Sequence, residues 1–385
     1  MFHKQRNFKM SRFYIVSYCY APNTAAINRE LSFVQSFSKL GTKCTLVFIM
    51  PSLQLDKYTE KHDGIDVIYL WKDCLARNKY LKHLYEPFSL SLFIKSIKQG
   101  DRVLLLGCQH LITKMLKRTS LVYHERTEHP DVTPWPRGLT PKKYYESCKK
   151  LAGLFTISEP LRQHFISMGC ELEKTHVINM TVDPSRFIDI SKQNITEKYI
   201  AYCGTASNNK DGVDELIKSF AIVSSRYPDY KLYIIGKTPS KKDEAGNLEL
   251  IAQYGLQDKI VFTGIVSSYE MPQLLTNAEI LALDRPDSLQ AQCGFPTKLG
   301  EYLLTGNPVV VTKVGDIPKF LTDGKTALLS EERNSEDFSS KLIWAIENKE
   351  CARVIGERGK DVALRSFNSD LQAKKMLNVI FEKKY

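Results

Sequence analysis

The sequence predicts an α/β protein with two doubly wound, Rossmann-like domains, each built on a parallel sheet. Its 385 residues exceed the length that one ordinary core accommodates, which indicates two domains. Short apolar runs rich in Val, Ile and Tyr alternate with segments of helical length almost throughout. This alternation breaks once, in the polar stretch 181–198, TVDPSRFIDISKQNITEK.

The first half contains a series of apolar runs of strand length, separated by segments of helical length. The helical segment 28–41 ends on Gly41, a residue type that suits the position after a helix. The predicted strands are 13–19, 44–49, 65–70, 102–107, 121–125 and 154–158.

The second half repeats this pattern, and its C-terminal part is mostly helical by periodicity. Because strand, crossover helix and strand alternate, we expect parallel sheets with helices on both faces. The predicted strands are 199–204, 231–236, 259–264, 279–284 and 308–312.

We therefore predict an N-terminal domain over 1–185, a linker over 186–198 and a C-terminal domain over 199–366. A last helix within 367–385 is expected to pack back on the first domain. The two domains are expected to face each other across a cleft, with ligands bound where strands end and helices begin. The residues that follow the strands are therefore the candidates for function.

Cysteine usage and hydropathy exclude several classes of protein. Nine cysteines are scattered without a CxxC pair, which argues against a disulfide framework or a zinc site and favours a reducing compartment. No run approaches the roughly eighteen apolar residues that cross a bilayer. The basic start leads into an apolar segment broken by Tyr and Ser, so we interpret it as a first strand rather than a signal peptide.

The net charge of +11 is concentrated in the first half of the chain. Residues 1–190 contain 28 Lys and Arg against 17 Asp and Glu, whereas the remainder contains 26 of each. This imbalance indicates either an anionic partner (a phospholipid surface, a lipid diphosphate or a nucleic acid) or a mildly basic domain without one. The segment 77–99 mixes Lys with Leu, Phe and Tyr, so it is either a helix on a membrane surface or a packed amphipathic helix.

The stretch GFPTKLGEYLLTGNPVVVT, residues 294–312, gives the strongest local indication of a binding site. Gly294 allows close approach of a ligand, and Pro296 fits the first turn of a helix. Lys298 in that turn opposes the helix dipole, and an anion bound at the same helix end would offset this repulsion. Glu301 lies one turn later, where a carboxylate can accept hydrogen bonds from a vicinal diol. The alternative is a surface Lys–Glu pair, worth only a few tenths of a kcal/mol.

Other strand ends also carry polar residues. Lys210 follows the strand 199–204 at a loop-to-helix junction that suits a phosphate, although a solvated loop lysine is the commoner explanation for such a residue by itself. Around the strand 121–125, five ionisable residues indicate acid–base or charge-stabilising chemistry, although each could be an ordinary loop residue. They are His124, Glu125, Arg126, Glu128 and His129.

A Pro-Asn turn after the first strand introduces small residues that enter a helix, with Arg29 in its first turn. Small side chains there would leave room for a ligand over the helix N-terminus. Asn23, Thr24 and Arg29 are therefore weak candidates for ligand contact.

Together these features resemble a retaining glycosyltransferase of the GT-B fold, closest to the large family 4 of bacterial sugar transferases. The similarity covers nearly the whole chain. It is carried by GLFTISEPLRQHFISMGCELEKTHVINMTVDPSRF at 153–187, by YCGTASNNKDGVDELIKSF at 202–220, and most specifically by 294–312 with the VGDIPKFL that follows.

The resemblance implies that the second domain binds a UDP- or GDP-sugar and that the first binds a glycan or a lipid-diphosphate-linked acceptor. Lys210 and Lys298 would neutralise the diphosphate, and Glu301 would hold the ribose. No metal and no other cofactor is implied, because basic residues and a helix N-terminus stabilise the leaving diphosphate. The implied donor residues are Gly204, Thr205, Lys210, Gln292, Gly294, Phe295, Pro296, Thr297, Lys298 and Glu301. The resemblance places His124 near the reacting sugar, and His124, Glu125 and Glu128 are the candidate catalytic residues. The candidate acceptor-binding residues are Asn23, Thr24 and Arg29.

Three positions depart from the family pattern. Relatives commonly carry a second Glu eight positions before the one matching Glu301, where this chain has Cys293. Gln290, Gln292 or backbone groups would then have to bind the hydroxyl groups of the sugar. The usual Gly-Arg is Gly204-Thr205, which removes one phosphate-binding cation, and the frequent Gly-Gly loop of the first domain is replaced by residues 23–26, NTAA.

The leading hypothesis is a glycosyltransferase at the cytoplasmic face, peripheral on the inner side of the cell membrane, in surface polysaccharide biosynthesis. The alternatives are a sugar-nucleotide epimerase or phosphorylase of the same fold, a non-catalytic nucleotide-sugar-binding subunit, and a basic nucleic-acid binder. The Lys298–Glu301 pair favours a nucleotide donor over free phosphate. No nucleic-acid partner is expected, because no recognition motif accompanies the charge.

Overall fold

The chain divides by its internal contacts into two compact units. Unit 1 contains the described residues of Met1–Thr156, Arg162–Ile178 and Gln372–Tyr385, and unit 2 contains those of Ile157–Leu161 and Asn179–Leu371. The structure is a computed structural model, and it describes residues 11–20, 24–50, 64–70, 79–237 and 240–382.

Unit 1 is built, within its described residues, on a seven-stranded sheet whose neighbouring strands are all parallel. The strand order β3-β2-β1-β4-β5-β6-β7 means that the crossovers reverse direction between β1 and β4. The strands are β1 Phe13–Cys19, β2 Cys44–Met50, β3 Ile65–Tyr69, β4 Arg102–Leu106, β5 Val122–Arg126, β6 Gly153–Thr156 and β7 Thr175–Val177. The α-helices in this part of the sequence are Ala25–Lys39, Lys79–Ser96, Ile112–Leu116, Pro141–Cys148 and Glu159–Ser167, and the 3-10 helices are Gln109–Leu111, Pro130–Val132 and Leu172–Lys174.

Unit 2 has a six-stranded parallel sheet over its described residues, in the order β10-β9-β8-β11-β12-β13, so its crossovers reverse between β8 and β11. The strands are β8 Lys198–Cys203, β9 Tyr230–Ile235, β10 Ile260–Gly264, β11 Ile280–Leu283, β12 Val309–Thr312 and β13 Leu328–Ser330. The helices are Pro184–Phe187 (3-10), Asn208–Asp211, Val213–Arg226, Lys241–Gln253, Met271–Asn277, Leu289–Cys293, Thr297–Leu304, Ile317–Phe320, Ser335–Glu347, Lys349–Ser366 and Ser369–Phe381, the last of which continues into unit 1.

The predicted fold class, two parallel-sheet Rossmann-like α/β domains, is confirmed. Every predicted strand is present, with ends that differ by at most two residues. β7 and β13 were not predicted, because three residues are too few to form a recognisable apolar run. The predicted helix 28–41 begins at Ala25, because the Thr24 side chain accepts a hydrogen bond from the Ile27 N–H and so caps the helix.

One hydrophobic core cluster of unit 1 lies on one face of its sheet. Alternate residues of the strands point to this face, as the two-residue period of a strand requires. The helix Ala25–Lys39 covers them with the buried Phe33, Val34 and Phe37. The strand residues of this cluster include Phe13, Ile15, Cys44, Leu46, Phe48, Leu104 and Leu106.

The helix Ser369–Phe381 completes the same core. It contributes four buried apolar side chains, Ala373, Met376, Leu377 and Ile380. The Ile380 carbonyl accepts hydrogen bonds from Arg102 Nε at 2.9 Å and from the Tyr123 hydroxyl at 3.0 Å. The last helix is thereby joined to β4 and β5 of the first sheet.

The segment predicted as a linker packs on unit 2. The Gln193 N–H donates to the Asn277 side chain at 2.9 Å, and Lys192 forms an ion pair with Glu279. Just before this segment, the Val182 N–H donates to the Phe367 carbonyl at 2.9 Å, and residues 179–198 therefore count with unit 2. No helix in the described ranges is long and apolar enough to span a membrane.

We expect Met376→Ala to lower the stability of unit 1 by about 2–5 kcal/mol, because it leaves a cavity among fully buried side chains. The exposed neighbour Lys375→Ala is the matched control and should leave the stability unchanged. Native-state hydrogen exchange of the β1 and β4 amides measures the effect on this unit. Equal exchange rates in the two variants would show that the last helix does not stabilise the first sheet.

Candidate functional site

The candidate site of unit 2 lies at the carboxyl edge of its sheet. The crossovers reverse direction between β8 and β11, and open α/β sheets bind ligands at such a point. Gly204 follows β8, Asp284 follows β11, and the helix Thr297–Leu304 begins after the turn Gly294–Pro296. The structure thus brings the predicted donor residues of two separate segments, 204–210 and 292–301, to one edge.

Lys298 is held by three contacts at the start of its helix. Its Nζ lies 2.5 Å from Asp211 Oδ2, 3.1 Å from the Tyr202 hydroxyl and 4.6 Å from the centre of the Tyr202 ring. The side chain of Lys298 is 14% exposed and that of Asp211 is 2% exposed. The lysine is therefore fixed in one position beneath the surface of the edge, and its ammonium reaches solvent only in part.

Burial and charge act in opposite directions on this pair. Burial lowers the pKa of Lys298, and the Asp211 carboxylate offsets part of that effect. Burial alone would raise the pKa of Asp211, but the Lys298 ammonium outweighs it and holds the pKa below its ordinary value. The attraction between the two groups therefore offsets part of the cost of burying each of them.

Gly204 is required by the position of Lys298. A Cβ at Gly204 would lie 2.2 Å from Lys298 Nζ, and the residue has a φ of 150°. A larger residue would therefore displace the ammonium group as well as strain the backbone. The glycine at this position thus allows the Lys298 ammonium to lie close to the end of β8.

Glu301 also has a partner within unit 2. Its Oε1 contacts Arg186 Nη1, and Arg186 Nη2 donates to the Ser268 carbonyl at 3.1 Å. Arg186 lies in the 3-10 turn Pro184–Phe187, inside the VDPSRF stretch of the sequence. The Glu301 side chain remains 22% exposed, so its carboxylate is oriented by the arginine and still accessible.

The remaining predicted donor residues differ in their surroundings. Phe295 is buried and packs against Phe320 and Phe367, with ring centres 5.6 and 5.3 Å away. Gly294 has an extended backbone, and its N–H donates to the Gln290 carbonyl at 2.9 Å. Pro296 is the N-cap of the lysine-bearing helix. Thr297 is half-buried, Gln292 is exposed and contacts Asp287, and Thr205 and Lys210 are exposed.

Cys293, where the family pattern places a second Glu, is a buried residue at the end of the helix Leu289–Cys293. Its carbonyl accepts a hydrogen bond from the Ser158 hydroxyl at 2.5 Å. Burial raises the pKa of the Cys293 thiol, and the nearby Asp316 adds to this effect. The side chain at this position is therefore an uncharged thiol, which forms only weak hydrogen bonds with sugar hydroxyl groups.

Four residues of this edge were not among the predicted site residues: Tyr202, Asp211, Arg186 and Arg285. Asp211 stands between Lys210 and Gly212, whose left-handed φ of 62° ends the short helix, but nothing in this local sequence pairs it with Lys298. Arg285 is buried after β11, and its positive charge acts on both Lys298 and Asp211. Nothing in the periodicity of the sequence indicates Tyr202 or Arg186.

In unit 1, the predicted catalytic residues lie in and after β5. The strand is one residue longer at its end than predicted and reaches Arg126, so His124 and Glu125 lie inside it, and both are buried. His124 Nδ1 is 3.1 Å from the Leu105 carbonyl, and its Nε2 is 3.2 Å from the Tyr144 hydroxyl. Burial lowers the pKa of His124 to about 3, with a contribution from Arg126, so the ring is neutral.

Arg29, predicted to bind the acceptor, and Glu125, predicted to be catalytic, form a buried ion pair with each other. Arg29 Nη2 donates to Glu125 Oε1 at 2.8 Å and to the Ile178 carbonyl at 3.1 Å. The two side chains are 4% and 5% exposed. The pair therefore ties the first helix to β5, and direct contact of either residue with a substrate stays a prediction.

Of the other candidates of unit 1, Glu128 and Thr24 are more accessible, whereas His129 is buried. Glu128 is half-buried, and its carbonyl accepts a hydrogen bond from Arg126 Nε at 2.9 Å. His129 Nε2 lies 3.2 Å from His164 Nδ1. Thr24 is exposed and caps the helix Ala25–Lys39, while Asn23 lies outside the described residues.

We expect Glu125→Ala to lower the free energy of unfolding of unit 1 by about 3–5 kcal/mol, because it leaves the Arg29 guanidinium unpaired in the interior. The exposed Glu171→Ala is the control and should leave the stability unchanged. Urea unfolding combined with hydrogen exchange of the β5 amides measures the difference. A cost below about 1 kcal/mol would contradict a structural role for the pair.

Comparison with known proteins gives a match in the second half of the chain. Residues 185–362 match the sequence model of the family described as Glycosyl transferases group 1. The putative colanic acid biosynthesis glycosyltransferase WcaL of Salmonella typhimurium is 26% identical over 205 residues, which are 52% of this chain and 50% of that protein. Mannosylfructose-phosphate synthase of Agrobacterium fabrum is 23% identical over 226 residues, 55% of this chain and 48% of that protein. The chain thus spans about half the length of these curated relatives.

Solved structures resemble the chain over nearly all of its length. HepE of Anabaena, determined in complex with UDP and glucose, aligns with a TM-score of 0.71 at 13% identity, over 97% of this chain and 100% of that one. Sucrose-phosphate synthase from Thermosynechococcus elongatus aligns with a TM-score of 0.72 at 13% identity, over 97% and 98%. At these identities the likeness concerns the fold. The chain therefore has the GT-B fold. The match of residues 185–362 to the Glycosyl transferases group 1 model supports the predicted glycosyltransferase class.

Proposed function

We propose that this protein is a glycosyltransferase that moves a sugar from a UDP- or GDP-sugar to a hydroxyl group of a glycan or lipid-linked acceptor in surface polysaccharide biosynthesis. The observation that carries the proposal is the fixed Lys298 ammonium at the edge between β8 and β11, beside Gly204. The domain match over 185–362 supports the class of reaction. Retention of configuration and membership of family 4 rest on the resemblance of the sequence motifs.

Lys298 is suited to bind the diphosphate of the donor. An ammonium has three N–H donors, and Asp211 and Tyr202 take two of them, which leaves one for a phosphate oxygen. Asp211 favours the charged form of the ammonium, which opposes the effect of burial. The start of the helix Thr297–Leu304 adds the positive end of its dipole at the same place.

Other cations of the same edge compensate for the Thr that replaces the family's usual arginine at 205. Arg285 is close enough to act electrostatically on Lys298, and Lys210 lies exposed next to Asp211. These groups stabilise the negative charge that develops on a leaving nucleoside diphosphate. We therefore propose that the transfer needs no metal ion, and that activity persists in the presence of EDTA.

Glu301 is suited to hold the ribose. Arg186 engages its Oε1, which leaves Oε2 for the two vicinal hydroxyl groups of the nucleoside. A carboxylate whose orientation is fixed by a neighbouring arginine binds a diol with less loss of side-chain entropy than a free one. Arg186 is therefore proposed as a positioning residue for Glu301.

Unit 1 is proposed to bind the acceptor and an anionic membrane surface at the cytoplasmic face. Its helix Lys79–Ser96 exposes Phe88 and Leu92, four residues apart, with exposed fractions of 61% and 52%. Lys95 and Lys98 follow on exposed positions. Basic side chains beside exposed apolar ones suit an interface with anionic lipid, and this arrangement agrees with the basic excess of residues 1–190.

The donor class is tested with a panel of UDP- and GDP-sugars. We expect one nucleotide family to raise the melting temperature of the protein and its sugar to be transferred, or slowly hydrolysed, with release of the nucleoside diphosphate. Stabilisation without release under any acceptor would favour a non-catalytic binding subunit. Conversion of the sugar while it stays attached to the nucleotide would favour an epimerase, and no stabilisation by any nucleotide would contradict the proposal.

Lys298→Ala and Glu301→Ala are each expected to weaken donor binding at least tenfold, or about 1.4 kcal/mol, because each removes a direct contact. Arg186→Ala should have a smaller effect of the same sign. Lys313→Ala is the matched control, since Lys313 is an exposed lysine of unit 2 paired with Glu331. Isothermal titration with the nucleotide found above measures the affinities. Unchanged binding in both Lys298 and Glu301 variants would mean that the helix is only structural.

Replacement of the exposed apolar pair, Phe88→Ser with Leu92→Ser, should reduce binding to vesicles that contain phosphatidylglycerol, because it removes the apolar contact with the interface. Leu172→Ser serves as the control, since Leu172 is 51% exposed elsewhere in unit 1. Vesicle co-sedimentation measures the bound fraction. Equal binding of the pair variant and the control would exclude this helix as the membrane contact.

A further inference from the structure

The carboxyl edge of the sheet in unit 1 carries a polar cluster that the sequence predictions did not include. Ser17 lies near the end of β1, Cys108 follows β4, and Glu30 reaches them from the helix Ala25–Lys39. β1 and β4 are neighbours, and the crossovers of this sheet reverse direction between them. The cluster therefore occupies the point at which open α/β sheets bind ligands.

Glu30 is the accessible member of this cluster. Ser17 and Cys108 are buried, whereas Glu30 is partly exposed. The Ser17 hydroxyl donates a hydrogen bond to Glu30 Oε2. Among the described residues, this is the hydrogen bond that the structure gives the Glu30 carboxyl group.

The surroundings keep Glu30 uncharged at neutral pH. Burial raises the pKa of Glu30 to about 8, and the nearby Glu125 carboxylate adds to this effect, while the hydrogen bond from Ser17 opposes it. Burial, Glu30 and Cys19 in turn raise the pKa of the Cys108 thiol. The neighbouring Arg29 does not neutralise Glu30, because its guanidinium group is held by Glu125.

A carboxylic acid in this position favours a neutral ligand over an anionic one. It offers one O–H donor and one carbonyl acceptor, which match a hydroxyl group that both accepts and donates. An anionic group would find two carboxyl groups and a thiol here, with the nearest cation already paired. The cluster thus differs from the edge of unit 2, where Lys298 and Arg285 favour an anion.

We propose that Glu30, as a carboxylic acid backed by Ser17, binds a hydroxyl group of a neutral sugar residue of the acceptor at the β1–β4 edge of unit 1. The inference rests on the proposed function in one respect, namely that the second substrate is a glycan. Glu30 is then a substrate-binding residue whose protonation state sets acceptor affinity. Its ionisation above neutral pH converts it into an acceptor-only group and weakens the contact.

Saturation-transfer NMR tests the proposal with methyl glycosides of glucose, galactose, mannose and N-acetylglucosamine as probes. For the full chain we expect one glycoside to bind at pH 6.5, with affinity about tenfold lower at pH 9, because about one tenth of Glu30 remains protonated there. Glu30→Gln mimics the acid and should keep the pH 6.5 affinity at pH 9. Ser17→Ala removes the hydrogen bond that stabilises the carboxylate and should move the midpoint to higher pH.

The controls separate this site from general effects of pH and folding. Glu171→Gln, an exposed carboxyl of unit 1 paired with Lys174, should behave like the unmodified protein. Loss of the same affinity with pH in Glu30→Gln would overturn the proposal, and so would the absence of binding by every glycoside at pH 6.5. Nucleotide-sugar stabilisation of the unmodified protein is measured in parallel. Its absence would contradict the proposed function, while the glycoside titration still decides the role of Glu30.

The stability of the protein gives a second readout that needs no ligand. Because folding raises the pKa of Glu30, its contribution to stability is fully present below the ordinary carboxyl pKa and is lost as pH rises toward 8. Glu30→Gln cannot ionise, so its melting temperature should fall less than that of the unmodified protein between pH 5 and pH 9. Parallel pH profiles for the two proteins would show that Glu30 is already ionised in the fold and would overturn the proposal.

Discussion

The contact between the Lys298 ammonium and the Asp211 carboxylate is the constraint on which the edge of unit 2 depends. A buried charge is stable only if a partner compensates for its lost hydration, and breaking such a pair costs far more than its presence contributes. The pair joins the helix Thr297–Leu304 to the segment after β8, and it requires Gly204 to have no side chain. It also leaves a cation that is fixed before any ligand arrives, which reduces the entropy lost on binding. The position of the ribose-binding candidate Glu301, one turn later on the same helix, follows from that fixed start.

The two units present different electrostatics at equivalent places in their sheets. At the β8–β11 edge the cations Lys298 and Arg285 outnumber the buried Asp211 carboxylate. At the β1–β4 edge the guanidinium of Arg29 is taken up by Glu125, and Glu30 is an uncharged acid. One sheet edge thus suits an anion and the other a neutral polyol, although the two topologies are similar.

The sequence was sufficient for the fold because strand and helix periodicities are local properties. The helix that carries Lys298 and Glu301 was predictable for the same reason. A glycine and a proline mark its start, and the spacing of three residues places both side chains on one face. Their partners were not predictable, because Asp211 lies 87 residues and Arg186 lies 115 residues away in sequence. Of the residues 124–126, only Arg126 lay beyond the predicted strand 121–125, and β5 runs through all three and buries them. A strand with neighbours on both sides and helices on both faces gives no alternation that would reveal which polar residues are internal.

The helix Ser369–Phe381 has a consequence for the order in which the chain can fold during synthesis. Its buried residues between Ala373 and Ile380 close the core of a sheet whose strands β1 to β7 are complete by Val177. At ordinary rates of translation, the first sheet therefore waits roughly 10–40 s, with part of its apolar face uncovered, until these residues leave the ribosome. Unit 2 lies almost entirely within the intervening segment and has no such delay. The unit that begins the chain is thus the later of the two to finish folding, and the exposed face of its nascent sheet is the natural target for a chaperone.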